Sequence, residues 1–324
     1  MSLLDLAAGG ESGGRAPLPE RLWRYQAERF PLLRHGPLIL VFSGAAVGYA
    51  AVQAGVPVRP AALPAATAVV LLQFLLMRLA DEFKDADDDR RWRPQRPVPR
   101  GLVSLTELAG LGVLAAALQL AVVWAAAPGA LPLLAAVWGW FLLMSAEFFR
   151  PRWLRRRLGL YALSHLLIVP LLALLAMAQQ GVLPVPLELL LPFLLCTYAC
   201  AFCIELARKT RRPAAEQPGV DTYSARWGLR PALRIWLLSL LLSALAALAA
   251  AGLIGAQGPL LLLLAPLLLL SLGRVLPWLR GAAGPPAGPP SARDEPLEGL
   301  TALWIVAVYG GLGWGPWLAA TLRP

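Results

Sequence analysis

Three carboxylates at four-residue spacing are the side chains of this sequence best suited to chemistry. Asp81, Asp85 and Asp89 follow an apolar run, and on a helix residues four apart lie nearly above one another. They therefore form one acidic stripe, which Gln73 and Met77 extend back into the apolar run. Like charges at this spacing repel and destabilise a helix, so a divalent cation that neutralised the stripe would stabilise it.

The type of ligand indicates which cation that would be. Oxygen ligands without a neighbouring His or Cys are typical of Mg²⁺ or another hard cation. Mg²⁺ keeps several waters and binds through a few carboxylates together with substrate phosphates, so the stripe predicts a phosphorylated substrate. The alternative is a solvated acidic loop that balances the arginines that follow it, which are Arg90, Arg91, Arg93, Arg96 and Arg100.

Composition places this stripe in a membrane protein. Hydrophobic residues make up 58% of the chain and charged residues 15%, against about 25% charged in a soluble protein. An apolar run of about 20 residues can cross a bilayer as one helix. Nine such runs occur, at residues 37–56, 61–80, 104–127, 130–149, 159–179, 186–207, 231–254, 258–276 and 298–319. The sequence predicts an all-α integral membrane protein of about nine transmembrane helices, with the stripe at the end of the second.

Basic residues are confined almost entirely to one side of these predicted helices. The N-terminus and every second connection carry 27 of the 29 Lys and Arg residues, which leaves Arg59 and Arg323 on the other side. By the positive-inside rule the basic side, with the N-terminus, is cytosolic. We expect a multi-pass protein of the cell membrane, a bacterial plasma membrane, in contact with membrane lipids. Because no soluble basic domain accompanies the net charge of +10, nucleic acid is not an expected partner.

The chain divides into two parts. Residues 1–36 form a polar, cytosolic N-terminal segment, in which residues 19–34 suit an amphipathic helix on the membrane surface. Residues 37–324 form the transmembrane domain, and its Pro/Gly-rich stretch 281–296 is predicted to be a flexible linker. Long polar connections follow the second and sixth runs, so the layout is a repeated four-helix unit with one extra helix.

The acidic stripe resembles the first aspartate-rich motif of the UbiA superfamily of intramembrane prenyltransferases, N-D-x-x-D-x-x-x-D. Asp81 stands for the Asn and Glu82 for the first Asp of that motif, while Asp85 and Asp89 match its other two acids. Residues 96–104 are similar to the family's R-P-[LI]-x-x-G-x-[IV]-[ST] segment, whose Pro and Gly suit a turn. The family's nine-helix fold, with motifs after helices two and six, agrees with this layout over essentially the whole chain.

The second motif of the family is altered in this chain. The family has two or three acids at helical spacing after helix six, but here Glu205 is followed by Lys209 where a second acid is expected, and then by Pro213. Residues 219–224 resemble the stretch that closes the motif. The resemblance therefore implies a depleted second metal site, in which Lys209 and Arg212 take over part of a metal's role toward a diphosphate.

The resemblance implies Mg²⁺-dependent transfer of a prenyl group from a prenyl diphosphate to an aromatic or other lipophilic acceptor within the membrane. The implied metal ligands are Asp81, Glu82, Asp85, Asp89 and Glu205. The implied substrate contacts are Gln73, Arg78, Lys84, Arg96, Tyr161, Lys209 and Arg212. Aromatic faces can stabilise an allylic cation, and the candidates, each of which can equally serve packing, are Tyr161, Tyr198, Trp140 and Trp236.

Two further ionisable residues lie within or beside apolar runs, where such groups often serve function. Glu147 is expected at the membrane interface, paired with Arg150 or Arg152 or contacting substrate. His165 follows Tyr161 by one helical turn and is predicted to be catalytic, as an acceptor-binding group or as a base that removes a proton after carbocation capture. The alternative is a neutral His hydrogen-bonded to another helix.

Other readings of the sequence stay open. A terpene cyclase on the same scaffold would capture the cation internally and need no acceptor. A non-catalytic transporter or lipid-binding protein would keep a relic metal site, although a transporter is expected to show more paired charges within its spans. Three cysteines, Cys196, Cys200 and Cys203, share one helix face and are interpreted as small packing residues rather than as a metal or redox site.

Overall fold

The computed structural model describes residues 16–183, 185–216, 220–280 and 296–322. In chain order the helices are α1 (Leu18–Arg29), α2 (Leu32–Ala54), α3 (Ala62–Lys84), α4 (Ala86–Trp92), α5 (Leu105–Ala126), α6 (Leu131–Ser145), α7 (Pro151–Arg155), α8 (Leu158–Leu166), α9 (Ile168–Ala178), α10 (Leu187–Arg208), α11 (Tyr223–Trp227), α12 (Leu229–Gly252), α13 (Gln257–Leu279), α14 (Pro296–Tyr309) and α15 (Gly315–Thr321). Residues 1–15, nearly all of the predicted linker 281–296, and Arg323 lie outside the described residues.

The described residues contain nine helical segments long and apolar enough to span a membrane, which confirms the predicted all-α membrane fold. They are α2, α3, α5, α6 with the 3₁₀ turn before it, α8 with α9, α10, α12, α13, and α14 with α15. Each lies within a few residues of an apolar run in the sequence. No strand occurs in the ranges that the structure describes.

The second span runs past the predicted end of its apolar run. Because α3 continues to Lys84, Asp81 and Glu82 lie in its last helical turn. Asp85 forms the junction with α4, yet the backbone hydrogen bonds continue across it. The N–H of Asp85 donates to the carbonyl of Asp81 (2.9 Å), and the N–H of Asp89 donates to that of Asp85 (2.8 Å). The predicted four-residue row is therefore kept through the junction.

The fourth span ends earlier than predicted, at Ser145. The following turn, Glu147–Phe149, has φ angles of 47°, 51° and 57° at its three residues, all in the left-handed region that L-residues rarely adopt. This run reverses the chain into α7. The fifth span is also interrupted, between α8 and α9, where Pro170 cannot donate to the carbonyl of Leu166.

Small residues and internal hydrogen bonds hold the spans together, as expected in lipid. Gly44 and Gly48 on α2 lie against the π-helical turn Gly310–Trp314 of the last span, so closely that a side chain at Gly313 would overlap the Ala45 backbone. The three cysteines are free and buried in α10, with the sulfur of Cys203 4.0 Å from the hydroxyl of Ser243 on α12. This placement supports the packing interpretation.

The predicted N-terminal helix is present as α1, and ion pairs attach it to the bundle. Arg21 binds the carboxylate of Glu107 at 2.5 Å, and Arg100 binds Glu28 at 2.5 Å. Glu107 also forms a capping box with Ser104 at the start of α5. These contacts place α1 on the same side of the bundle as the end of α3. We call this side the basic face: the connections 81–104 and 146–157 and the described parts of 208–228 lie on it, and these connections carry more than half of the Lys and Arg residues of the chain.

Candidate active site

The acids at the end of α3 fall into two classes, and the first class is paired within the protein. Glu82 is 2% exposed and accepts hydrogen bonds from Arg29 Nε (2.7 Å) and Arg78 Nη2 (3.1 Å). Asp89 is also 2% exposed and binds Arg93 (2.9 Å) and Arg96 (2.5 Å). Burial alone would raise the pKa of Asp89, but the hydrogen bonds from its two arginines outweigh burial and lower it.

The second class, Asp81 and Asp85, makes no side-chain hydrogen bond with the other described residues. The Asp81 side chain is 45% exposed, and its carboxylate oxygens lie 3.8 Å from Arg78 and 3.6 Å from Lys84, beyond hydrogen-bonding distance. Among the described residues Asp85 has no ion-pair partner within 4 Å. Burial raises the pKa of Asp85, Lys84 opposes this effect, and the charges of Asp81 and Asp89 add to it. A cation bound here would relieve that destabilised charge.

These two carboxylates fit a hard cation. They lie one helical turn apart, offer only oxygen atoms, and are not saturated by protein cations, which matches the way Mg²⁺ binds one or two carboxylates plus phosphate. No group of three or more His, Cys, Asp or Glu side chains converges for a metal within the described ranges. A cation shared by all three aspartates would require Asp89 to leave its arginines, so that part of the ligand set stays a prediction.

Lys84 joins this acidic site to the fifth span. Its Nζ atom donates to the hydroxyl of Tyr161 (2.9 Å), and the Tyr161 ring stacks on His165 with centroids 3.9 Å apart. Both ring nitrogens of His165 face backbone carbonyls, that of Tyr161 at 2.9 Å and that of Met144 on α6 at 3.1 Å. This geometry matches the alternative of a histidine bonded to another helix. A catalytic role for His165 stays a prediction.

The left-handed turn shapes the neighbourhood of this aromatic pair. It directs Phe148 edge-on against Trp140 (5.4 Å) and His165 (5.9 Å). Glu147 is buried and accepts two hydrogen bonds from Arg155 Nε, at 2.8 and 3.0 Å. The predicted pairing of Glu147 with Arg150 or Arg152 was wrong, because the turn reverses the chain and α7 carries the later arginine back to the carboxylate.

At the end of α10, Glu205 is paired with two cations. Arg208 lies 2.7 Å and Lys209 2.8 Å from its carboxylate oxygens. Beside them the Tyr223 ring is fully buried, its N–H donates to the Lys209 carbonyl (2.8 Å), and its hydroxyl has no partner among the described groups. Lys209 therefore neutralises the remaining acid of the altered second motif.

Glu216, which no sequence pattern singled out, links two parts of the connection after α10 by hydrogen bonds. The Glu216 carboxylate accepts hydrogen bonds from the hydroxyls of Thr222 and Ser224, at 2.6–2.8 Å. Gly219, the first residue of the stretch that resembles the end of the second motif, lies outside the described residues. Arg29 and Arg155 were missed in the same way, since each acts on a carboxylate in another element and no local spacing marks it.

The other predicted contacts lie at various depths. Gln73 is buried inside the bundle, where its side-chain oxygen accepts from Gln119 (3.3 Å), so it does not reach the basic face. The guanidinium of Arg212 lies over the ring of Trp278 (4.2 Å). The Tyr198 hydroxyl donates to the Leu163 carbonyl (2.7 Å), whereas Trp236 is fully buried and donates to Thr301 (3.0 Å). Trp236 therefore has a packing role.

Known proteins share this arrangement of helices. The model of the UbiA prenyltransferase family matches residues 38–284. No curated protein sequence matches the chain significantly. An apo structure of a UbiA homolog from Aeropyrum pernix K1 is similar at 17% identity and a TM-score of 0.58, over 84% of this chain and 96% of that one.

Two further solved structures are similar. A structure of digeranylgeranylglyceryl phosphate synthase in membranes has 15% identity and a TM-score of 0.57, over 93% of this chain and 99% of that one. A UbiA homolog from Archaeoglobus fulgidus bound to DMAPP and Mg²⁺ has 13% identity and a TM-score of 0.48, over 87% of this chain and 97% of that one. At such identities the first two structures support the nine-helix fold alone.

Proposed function

This chain belongs to the UbiA prenyltransferase family, and we propose that it transfers a prenyl group from a prenyl diphosphate to a lipophilic acceptor within the membrane. The single observation that carries the proposal is the pair of Asp81 and Asp85 at the end of α3: Asp81 has only long ion pairs, at 3.6–3.8 Å to Lys84 and Arg78, and Asp85 has none within 4 Å among the described residues. Asp85 is a partly buried acid with a raised pKa, and such an acid beside basic side chains is typical of a functional site.

Asp81 and Asp85 would hold the cation, and Mg²⁺ bound there would neutralise charge on the diphosphate leaving group. Glu82 and Asp89, each held by two arginines, would act mainly by fixing the end of α3 and the start of α4. Direct coordination by Glu82, Asp89 or Glu205 remains a prediction, which the Glu82→Gln and Lys209→Ala variants below test for Glu82 and Glu205.

Cations at the ends of α3 and α10 would bind the diphosphate itself. Lys84 lies between Asp81 and Tyr161, so its ammonium is held at the edge of the acidic site. Arg78 binds Glu82 through Nη2, while its Nε atom is buried and has no partner among the described groups. Lys209 would add positive charge where the family has a second acid. Charge-assisted hydrogen bonds of this kind are about twice as strong as neutral ones.

In the transfer itself the bond between the prenyl carbon and the diphosphate oxygen breaks, and the electron pair stays on the diphosphate. The allylic cation is then captured by the acceptor, which loses a proton as the new bond forms. The Tyr161 ring stacks on His165 and has the Lys84 ammonium 5.7 Å from its centre, so it would stabilise the cation once Lys84 has moved from the ring to pair with the diphosphate. Enclosure by lipid-facing helices would keep water from the cation.

A direct experiment uses the purified chain in lipid nanodiscs with prenyl diphosphates of several chain lengths and Mg²⁺. Diphosphate release is followed with and without aromatic and lipid acceptors, and the products are identified by mass spectrometry. Release that requires an acceptor supports transfer. Release with a hydrocarbon or alcohol product alone would instead favour a terpene cyclase, and no release by folded protein would favour a non-enzyme.

Matched variants then test the site. Asp81→Asn and Asp85→Asn are expected to slow release by about a hundredfold or more, since a metal's stabilisation of charge amounts to several kcal/mol. Asp88→Asn, in the same connection but exposed, is the control and is expected to keep full activity. Full activity in the Asp85 variant would remove the metal site from the proposal.

A further inference from the structure

The connection between the fourth and fifth spans carries a larger net positive charge than the other two connections of the basic face, 81–104 and 208–228. Residues 146–157 contain five arginines and one acid, Glu147, for a net charge of +4 in twelve positions. The longer connection 81–102, in contrast, holds six acids and six basic residues and is neutral. We call residues 149–157 the arginine segment. Its basic residues are Arg150, Arg152, Arg155, Arg156 and Arg157.

This segment is held in one place by packing and by an ion pair. Leu154 is the buried residue of α7, and Arg155, at the end of the same helix, is bound by the buried Glu147 carboxylate. At its start Phe148 packs against Trp140 and His165. The segment is thus a structured surface, and the other four arginines project from it.

The exposed part of the segment combines guanidinium groups with aromatic rings. Arg150, Arg152, Arg156 and Arg157 are all exposed, and among the described residues none of them has an ion-pair partner. Phe149 is 75% exposed and Trp153 is about half exposed, and the Arg157 guanidinium lies 4.3 Å from the Trp153 ring centre. Arginine beside exposed Trp and Phe is a composition typical of the boundary between lipid headgroups and acyl chains.

The surroundings of the segment are apolar and exposed, as expected for a surface that faces lipid. Leu142 and Leu143, just before it on α6, are exposed, and Leu142 is 64% so. Leu160 and Leu163, just after it on α8, are exposed as well. A segment between two such span ends is expected at the level of the headgroups, where aromatic rings can contact acyl chains and arginines can contact phosphate.

We propose that the arginine segment is a binding site for the headgroup of an anionic phospholipid. The planar guanidinium group can donate two parallel hydrogen bonds to phosphate oxygens, which favours arginine over lysine for this contact. Arg150, Arg152, Arg156 and Arg157 bind the phosphate, while Phe149 and Trp153 lie against the first methylene groups of the lipid. The inference does not rest on prenyl transfer, because none of these residues belongs to the proposed catalytic site.

The test uses the purified full-length chain in a neutral detergent, titrated with phosphatidylglycerol or with phosphatidylcholine of the same acyl chains. Bound lipid is counted by native mass spectrometry, and the thermal unfolding midpoint is recorded in parallel. We expect selective retention of phosphatidylglycerol. The variant R150Q/R152Q/R156Q/R157Q is expected to weaken its apparent affinity by about tenfold or more, since each arginine near an anionic surface contributes measurably to binding.

A control removes the same charge from elsewhere on the chain. The variant R230Q/R234Q/R274Q/R280Q, at four other exposed arginines, is expected to change the affinity by less than about twofold. R156Q/R157Q, expected to give an intermediate loss, keeps the test available if the fourfold variant does not fold. Equal losses in the segment and control variants would overturn the site, as would equal binding of the two lipids. Competition by inorganic phosphate at similar concentrations would also overturn it, since that result indicates a small-anion site.

Discussion

The ammonium of Lys84 and the hydroxyl of Tyr161 are joined by a hydrogen bond of 2.9 Å between the second and fifth spans. Lys84 is the last residue of α3, and Asp81 lies three residues earlier in the same last turn, with a carboxylate oxygen 3.6 Å from the Lys84 ammonium. Tyr161 is held in turn by its stack with His165. This bond is what connects the acidic motif to the aromatic residues that the proposed function assigns to the prenyl group.

Replacing Tyr161 by Phe tests that connection. The ring and its stack with His165 are kept, but Lys84 loses the hydroxyl that orients it toward the site. We expect the KM for prenyl diphosphate to rise by about tenfold, because a hydrogen bond to a charged group contributes about 1.5–3 kcal/mol. Tyr198→Phe is the control for KM, because it removes another hydroxyl, whose hydrogen bond joins the sixth span to the fifth. An unchanged KM in Tyr161→Phe would mean that Lys84 does not contact the diphosphate.

Glu82→Gln separates a structural role from a metal-binding role. Glu82 is the common partner of Arg29 and Arg78, so its loss leaves the largely buried Arg29 without this carboxylate and Arg78 with only Asp81, at 3.8 Å. We expect the free energy of unfolding to fall by about 3 kcal/mol, as for other broken buried ion pairs. Adding Arg29→Met to the Glu82→Gln variant should then lower the free energy of unfolding only slightly further.

The measurements are thermal unfolding in detergent and the Mg²⁺ concentration at half-maximal diphosphate release. The structural assignment expects a lower melting temperature with an unchanged Mg²⁺ requirement. A variant of normal stability that needs much more Mg²⁺ would instead identify Glu82 as a ligand, as the motif resemblance implies.

Lys209→Ala examines the altered second motif. If Lys209 replaces metal charge, its loss should raise the KM for prenyl diphosphate by about tenfold, in line with the strength of charge-assisted bonds, and leave the Mg²⁺ requirement unchanged. Arg226→Ala, which removes an exposed cation paired with Asp221 in the following connection, is the control. A changed Mg²⁺ requirement together with an unchanged KM would argue that Glu205, released from Lys209, acts on a metal.

The left-handed turn gives a paired prediction on stability. Phe149→Gly is expected to stabilise the protein in detergent by up to about 1 kcal/mol, because glycine adopts positive φ without the cost that an L-residue carries. Phe149 is 75% exposed and so loses little packing. Phe148→Gly should destabilise, since that ring packs on Trp140 and His165. Equal effects of the two substitutions on the unfolding midpoint would contradict this account.

Much of the fold could be predicted from local patterns. Hydropathy alone located all nine spans to within a few residues, because each apolar run is contiguous and must cross the same thickness of lipid. The second apolar run did not show that α3 extends to Lys84, since the last turn of this helix is mostly charged yet still completes its backbone hydrogen bonds. It also missed the early end at Ser145, which depends on three left-handed residues whose types do not favour that conformation.

The site was predicted in part. Four-residue spacing brought Asp81, Asp85 and Asp89 into one row, and the structure keeps that row through the junction at Asp85. Four-residue spacing is also that of Asp89 and Arg93, but it could not indicate that Arg96 binds the same carboxylate, because Arg96 lies beyond the end of α4 and the turn geometry there places it. The link from Lys84 to Tyr161 also joins residues of separate spans, 77 positions apart.

By itself the sequence determined that this chain is a helical membrane protein with an acidic motif at the end of its second span, because hydropathy, charge asymmetry and helical spacing are properties of contiguous residues. Only the tertiary structure decided which of these acids are hydrogen-bonded to arginines and which are not. Glu82 accepts a hydrogen bond from Arg29, 53 positions away, whereas the Asp81 carboxylate lies 3.6–3.8 Å from its nearest cations, and that difference arises where α1 packs against the end of α3. Electrostatic pairing depends on distance in space, which no spacing along the chain records.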